Sequence, residues 1–283
     1  MIYLKTIKIK KNQTLIKNKR MGFKKIDLSA FPSTRERGLK DLYRYSMFEV
    51  MFYRPNLWEH SHRLCWMVEA LAPIAKKHLK KIDIEKSRAM ALVHDDAEML
   101  TGDIQAGAKA LMTKKQLANV HKKERAAIHA IAKKYPKTVH GYNYEMLLIE
   151  MTEKKTLESL LVTYVDKLDA YCESMHEVLA GNISLMRSVM FYVKTFAEFP
   201  AKYPAMVGFC ADKSSPLIFV DNRLDIDGVR FAKYTNLQPY TKASLKKVTD
   251  FPFYNEWRRI VLDRGGSEGL RWLTNVREPA PRS

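Results

Sequence analysis

Between Val93 and Asp103 the chain sets one imidazole, His94, and four carboxylates, Asp95, Asp96, Glu98 and Asp103, into an otherwise apolar, helix-like background. Adjacent side chains on a helix diverge by about 100°, so His94 and Asp95 point differently, yet both can reach one ion seated beside that turn. Glu98 falls four residues after His94, on the same face one turn later. Gly102 is a helix-stop signal, which puts Asp103 in the turn that follows, free to point back. Buried charges without partners are costly, and a single helix cannot enclose an ion. The rest of the chain must therefore fold so that other elements bring partners to this stretch.

The apolar periodicity says what those elements are. A period of 3.6 predicts a helix over about 34–51, with Leu39, Leu42, Tyr43, Met47 and Val50 on one side, then a break at Arg54-Pro55-Asn56. A second helix runs from Leu57 to about Lys81, with Leu64, Met67, Val68, Leu71 and Ala75 as its buried stripe. A third spans about 83–100 and carries the acidic stretch. A basic helix follows over 113–134, then helices over about 144–181, broken once, and 185–199. No segment up to this point alternates as a strand does. The hydrophobic fraction of 46% is ample for a core, and the reading is an all-α domain over 28–204.

Beyond it the composition shifts. Pro204, Pro216, Pro239 and Pro252, with Leu217–Val220 and Val229–Phe231 between them, read as loops and short strands. Trp257, Ile260 and Val261 suggest a last short helix, and Glu278–Ser283 a frayed tail. Residues 205–283 are thus expected to form a mixed, irregular C-terminal extension, and residues 1–27 a basic N-terminal appendage.

The net charge of +18 is unevenly spread, because residues 1–25 hold nine cations and no acid. A basic surface favours phosphorylated partners, whether nucleotides, nucleic acid or anionic lipid, and does not choose among them. No apolar run of about 18 residues occurs, so no membrane-spanning helix is expected, and the N-terminus lacks the apolar core of a secretory signal. Cys65, Cys172 and Cys210 have no paired spacing. They read as buried free thiols in a reducing compartment, and a cytoplasmic location is expected.

Two residues on other helices can complete the site. His60 lies four residues before Leu64 and faces inward with its stripe. Asp166 lies at the edge of the stripe formed by Val162, Val165, Leu168 and Tyr171. Two imidazoles and two carboxylates, His60, His94, Asp95 and Asp166, suit a divalent transition metal with positions left for water and a phosphate oxygen. Glu98 and Asp103 remain as acids beside it, suited to orienting water or moving protons. His62, two positions from His60, is expected at the surface, and Asp96 and Asp169 are expected to shape the local field. His121, His129, His140 and His176 lack partners at ligand spacing. Trp257 and Trp272 read as core or packing surface rather than a base-stacking platform.

Glu59-His60-Ser61, His94-Asp95-x-x-Glu98, Thr101-Gly102-Asp103, Asp166 and the run to Ala180-Gly181-Asn182 together resemble the HD superfamily of metal-dependent phosphohydrolases. The closest resemblance is to the bacterial 5′-deoxynucleotidases and their eukaryotic relatives, and it covers roughly residues 40–185. It implies an HD-type helical bundle in which His60, His94, Asp95 and Asp166 hold one divalent cation, whether Mn, Co, Zn, Fe or Mg. Glu98 and Asp103 would then position the attacking water and assist the leaving oxygen. The family's Arg-Trp pair, which serves phosphate and sugar, is matched near its place by Arg44-Tyr45, so Arg44 is the expected phosphate contact and Tyr replaces the sugar-facing Trp. The resemblance also implies a homodimer.

The function expected is release of phosphate from (deoxy)nucleoside 5′-monophosphates. One competing reading is a nucleoside triphosphohydrolase of the same fold, motivated by the extra positive charge. A reading of another class is a nucleic-acid-binding protein with a vestigial metal site, its basic arm on the backbone.

Overall fold

The computed structural model describes residues 22–104, 106–219 and 251–277. Helices dominate them: α1 (Ser33–Asp41), α2 (Leu57–His78), α3 (Ile84–Val93), α4 (Glu98–Thr101), α5 (Ala106–Ala110), α6 (Lys114–Ala132), α7 (Tyr144–Glu153), α8 (Leu157–Leu179), α9 (Met186–Lys202), α10 (Val207–Cys210) and α11 (Pro252–Thr274). The only sheet among the described residues is a small hairpin, β1 (Thr138–Val139) antiparallel to β2 (Tyr142–Asn143). His140 and Gly141 close it at φ 51° and 85°, the doubly left-handed backbone of a type I′ turn. The all-α expectation holds.

α2 sits at the centre, packed against α3, α8 and α11. It starts where the Asn56 side chain accepts the Glu59 N–H at 3.0 Å, an N-cap that satisfies one of the free first-turn donors. Its predicted stripe, Leu64, Met67, Val68, Leu71 and Ala75, is buried. α8 begins with a reciprocal capping box between Thr156 and Ser159 and is buried on most of its circumference. These helices carry His60 and Asp166, and α3 ends at His94. The three cysteines are free and buried.

Several boundaries depart from the periodicity. The helix expected over 34–51 stops at Asp41. Tyr43 instead pairs with Asn56 in an antiparallel bridge, and the buried Arg54 guanidinium donates to the carbonyls of Tyr45, Phe48 and Glu49 at 2.8, 2.5 and 3.1 Å. Those bonds replace helical ones, and Met47 and Val50, read as stripe residues, are exposed. The helix expected over 83–100 breaks after Val93. Arg35 Nη2 donates to Leu92 O at 2.7 Å, while the chain tightens into i→i+3 turns, Asp96 N to Val93 O and Glu98 N to Asp95 O.

The C-terminal region differs too. The expected strand at 217–220 is not formed in its described part. Leu217–Phe219 is a buried irregular segment tied to the Tyr164 hydroxyl, which donates to Leu217 O and accepts from the Phe219 N–H. The last helix is not short: α11 runs 23 residues with a kink at Gly266, and it lies on α2 and α8. The basic arm up to residue 21, the expected strand at Val229–Phe231 and the tail Glu278–Ser283 lie outside the described residues. No described helix is long and apolar enough to cross a membrane.

Candidate active site

The break after Val93 aims the site. Asp96 turns inward, where Arg35 grips both its oxygens at 2.8 Å and the Tyr144 hydroxyl donates to it at 2.9 Å. With that side chain locked into the core, the neighbouring His94 and Asp95 are left facing a pocket between α2 and α8. The His94 ring is fixed by its Nδ1–H, which donates to Ala91 O at 2.9 Å. With Nδ1 so engaged, Nε2 is the nitrogen turned into the pocket.

His60 reaches the same pocket from α2. Its Nε2 lies 3.6 Å from Asp95 Oδ2 and 3.4 Å from Asp166 Oδ1, and its ring is 5.2 Å from that of His94, centre to centre. His60, His94 and Asp95 offer ligand atoms all within 4.8 Å of one another. Asp166 stands at the edge of that group, its Oδ1 beside His60 alone of the three, while its Oδ2 meets Lys167 Nζ at 2.6 Å. Both Nε2 atoms are buried without a hydrogen-bond partner. His94 Nε2 does lie 3.0 Å from Asp95 Oδ1, but the angles are not those of a hydrogen bond. Two orphaned imidazole nitrogens facing two carboxylates fit a divalent cation.

The carboxylates divide by charge state. Burial would raise the Asp166 pKa, but Lys167, His60 and Arg44 together hold it well below the usual carboxylate range. Asp95 is lowered as well, because His94 and His60 outweigh its burial. Glu98 goes the other way: burial, then the charges of Asp95 and Asp103, push its carboxyl well above the ordinary value. Its Oε2 is buried and unpartnered. Asp103, in the turn opened by Gly102 at φ 74°, is raised by burial and by Asp95 against the opposing Arg44. Environments that separate acids into ionised and proton-holding groups mark acid–base assignments.

Behind His60 lies a network that the sequence reading did not resolve. Asp169, read only as a field-shaping acid, is fully buried and faces His60 Nδ1 at 2.8 Å. Arg63 donates to both its oxygens at 2.9 Å and also pairs with Glu173. Trp257 Nε1–H donates to Asp169 Oδ1 at 2.7 Å. His60, Asp169 and Glu173 also have metal-holding spacing, but Arg63 already neutralises these acids. The available signal was spacing: Arg63 lies three residues after His60 and Asp169 three after Asp166, each pair on one helical face.

Arg44 enters from the irregular segment between α1 and α2 rather than from a helix. Its Nη1 donates to Glu173 Oε2 at 2.7 Å, and its Nη2 is 3.6 Å from Asp166 Oδ1. Nη1 also lies 2.7 Å from His60 Nδ1. When that nitrogen gives its proton to Asp169 it cannot accept from Arg44, so Glu173 is what holds the guanidinium. Tyr45 turns away from the pocket, its hydroxyl donating to Ala170 O at 2.8 Å.

His62 is not the surface residue expected. About 200° around α2 from His60, it is half-buried, its ring 4.4 Å from Trp58 and 6.4 Å from both Trp66 and Trp272. These side chains line a separate cleft of about 1290 Å³. Trp257 is core and Trp272 stacks on Trp66, as packing surface.

Residues 37–210 match the YfbR-like 5′-deoxynucleotidase family. A 5′-deoxynucleotidase of Erwinia tasmaniensis is 29% identical over 145 residues, covering 50% of this chain and 71% of that protein. One from Pectobacterium atrosepticum is 30% identical over 129 residues, covering 45% and 63%. Among solved structures, an HD-domain phosphohydrolase of Listeria innocua aligns with a TM-score of 0.49 at 18% identity, covering 64% of this chain and 88% of that one.

Proposed function

We proceed from a chain that belongs to the YfbR-like 5′-deoxynucleotidase family, and we propose that it hydrolyses the phosphate ester of nucleoside 5′-monophosphates, deoxynucleotides among them. The observation that carries this reading is the pair of buried, unpartnered nitrogens, His60 Nε2 and His94 Nε2, facing the low-pKa carboxylates of Asp95 and Asp166. We assign these four side chains as the ligands of one divalent cation. Their mixed nitrogen and oxygen donors favour a first-row transition ion over magnesium. When bound, such an ion lowers the pKa of water and offsets charge on the phosphoryl oxygens.

The other residues have work of their own. Glu98, raised by burial and its acidic neighbours, holds a proton that it can give to the departing ester oxygen. Asp103, placed by the Gly102 turn, orients the attacking water and takes up its proton. Arg44 supplies a guanidinium at the edge of the ligand set, suited to a phosphate oxygen. Asp169 fixes the His60 ring through Nδ1, so that Nε2 stays aimed into the pocket. Three buried free thiols fit a reducing compartment, and we place the protein in the cytoplasm.

A substrate panel tests the reading. Deoxy- and ribonucleoside monophosphates and triphosphates are offered with manganese, cobalt, zinc or magnesium, and released phosphate, pyrophosphate and triphosphate are separated. Phosphate from monophosphates, lost in Asp95→Ala, is the expected outcome. Exclusive release of triphosphate contradicts it.

A further inference from the structure

We propose that α11 and the residues just after it form a positioning element of the metal centre, acting through Trp257 on Asp169 and through Arg277, past the end of α11, on Glu59, so that this C-terminal stretch sets how tightly His60 binds a cation. This helix lies past residue 210, where the family match ends. The inference rests on His60 being a metal ligand and adds what keeps it in place.

The Asp169 carboxylate takes five donors, the longest being Arg44 Nη1 to Oδ2 at 3.5 Å. Its Oδ1 accepts from Arg63 Nε at 2.9 Å and Trp257 Nε1 at 2.7 Å. Its Oδ2 accepts from Arg63 Nη2 at 2.9 Å and faces His60 Nδ1 at 2.8 Å. A carboxylate so filled has one orientation, and it passes that orientation to the imidazole. Removing the indole donor leaves Oδ1 with Arg63 Nε alone, and the carboxylate can then tilt with the Arg63 guanidinium. The indole is itself immobile: Trp257 is 1% exposed, and the Arg63 guanidinium lies 5.7 Å from its ring centre.

The same C-terminal stretch grips the other flank of His60. Arg277 Nη2 donates to Glu59 Oε1 at 2.5 Å, and its backbone N–H donates to Phe52 O at 2.7 Å. Glu59 is the residue before His60 and is buried, so its carboxylate depends on that guanidinium. Elsewhere α11 is latched to α8 without touching the site, where the Tyr254 hydroxyl meets His176 Nδ1 at 2.7 Å. That contact provides a control on the same helix. Partners behind a ligating histidine tune metal affinity by orienting the ring, and their loss commonly costs 10–100-fold.

The experiment is a cobalt(II) titration of the full-length protein, followed by calorimetry and by the visible absorption of bound cobalt. Trp257→Phe keeps the ring and removes the donor. We expect about tenfold weaker cobalt binding, the low end of the outer-partner range because one donor of five is lost, with an altered cobalt spectrum. Tyr254→Phe, which removes one of the helix's two hydrogen bonds to His176 and leaves the one between Nε2 and Leu273 O, leaves both unchanged. Unaltered cobalt affinity in Trp257→Phe, or an equal loss in Tyr254→Phe, overturns the proposal. If Trp257→Phe shows no cooperative melt, Arg277→Gln decides: weakened cobalt binding supports the clamp, and unchanged binding overturns it. His60→Ala separates the two levels, because retention of cobalt there removes the ligand assignment itself.

Discussion

His60 faces two regions at once, one from each ring nitrogen. Behind Nδ1, Asp169 and Glu173 are closed by Arg63, Arg44 and Trp257. In front of Nε2, Asp95 and Asp166 share a pocket with His94, Glu98 and Asp103, and three buried polar atoms there, two imidazole nitrogens and Glu98 Oε2, have no partner. Both regions have imidazole and carboxylate at metal-holding spacing, so residue type does not separate them. Built-in cations separate them in degree: Arg63 and Arg44 close Asp169 and Glu173, Lys167 and Arg44 meet Asp166, and among the described residues Asp95 is paired only with imidazoles. Asp95 and Asp96 repeat the contrast one residue apart, since Arg35 and Tyr144 close Asp96 and leave Asp95 to the pocket.

The comparison breaks most visibly at Asp95. Asp95→Ala should lower kcat/KM for a nucleoside monophosphate by about 10³ or more, at least the loss of one preorganised electrostatic group. The metal-free protein should lose less stability than Asp169→Ala does, because the substitution relieves repulsion with Glu98 and Asp103 while it gives up the pull of His94 and His60 on Asp95. Calorimetry beside a steady-state assay reads both.

Asp169→Ala tests the opposite region. It leaves the buried Arg63 with Glu173 as its remaining acid and should destabilise the metal-free fold by about 3 kcal/mol, the lower end of what removing one member of a buried pair costs. Denaturant unfolding measures it. If Asp95→Ala and Asp169→Ala destabilise equally, the two regions are not different in kind.

Metal itself should act on one side only. Manganese or cobalt at about a hundred times its Kd should stabilise wild type by about 2.7 kcal/mol, read as a higher melting temperature. Asp95→Ala should gain nothing, whereas Asp96→Asn, if folded, should still respond. The smallest effect expected is at Tyr144→Phe, which removes one donor from the buried Asp96 and should cost about 1 kcal/mol with metal affinity unchanged.

Much of the pocket was legible because its residues sit in short motifs on strongly periodic helices: His60 on the stripe of α2, Asp166 on that of α8. The closed region was not, because its partners meet only through tertiary folding. Arg63 and Asp169 are 106 residues apart, and Trp257 and Asp169 are 88 apart. The helix read over 34–51 failed for a related reason. Apolar spacing there suggested a stripe, but the buried Arg54 offered its carbonyls a better partner than the next turn. His62 was misread because a half-buried ring among three tryptophans has no signature along the chain; Trp272 lies far from it in sequence.

Anomalous diffraction from crystals grown with manganese or cobalt addresses the central claim most directly. The account predicts one peak per chain, bonded at about 2.0–2.2 Å to His60 Nε2, His94 Nε2 and carboxylate oxygens of Asp95 and Asp166. A peak on the Nδ1 side of His60, between Asp169 and Glu173, or ions bound apart from these four residues, would contradict it.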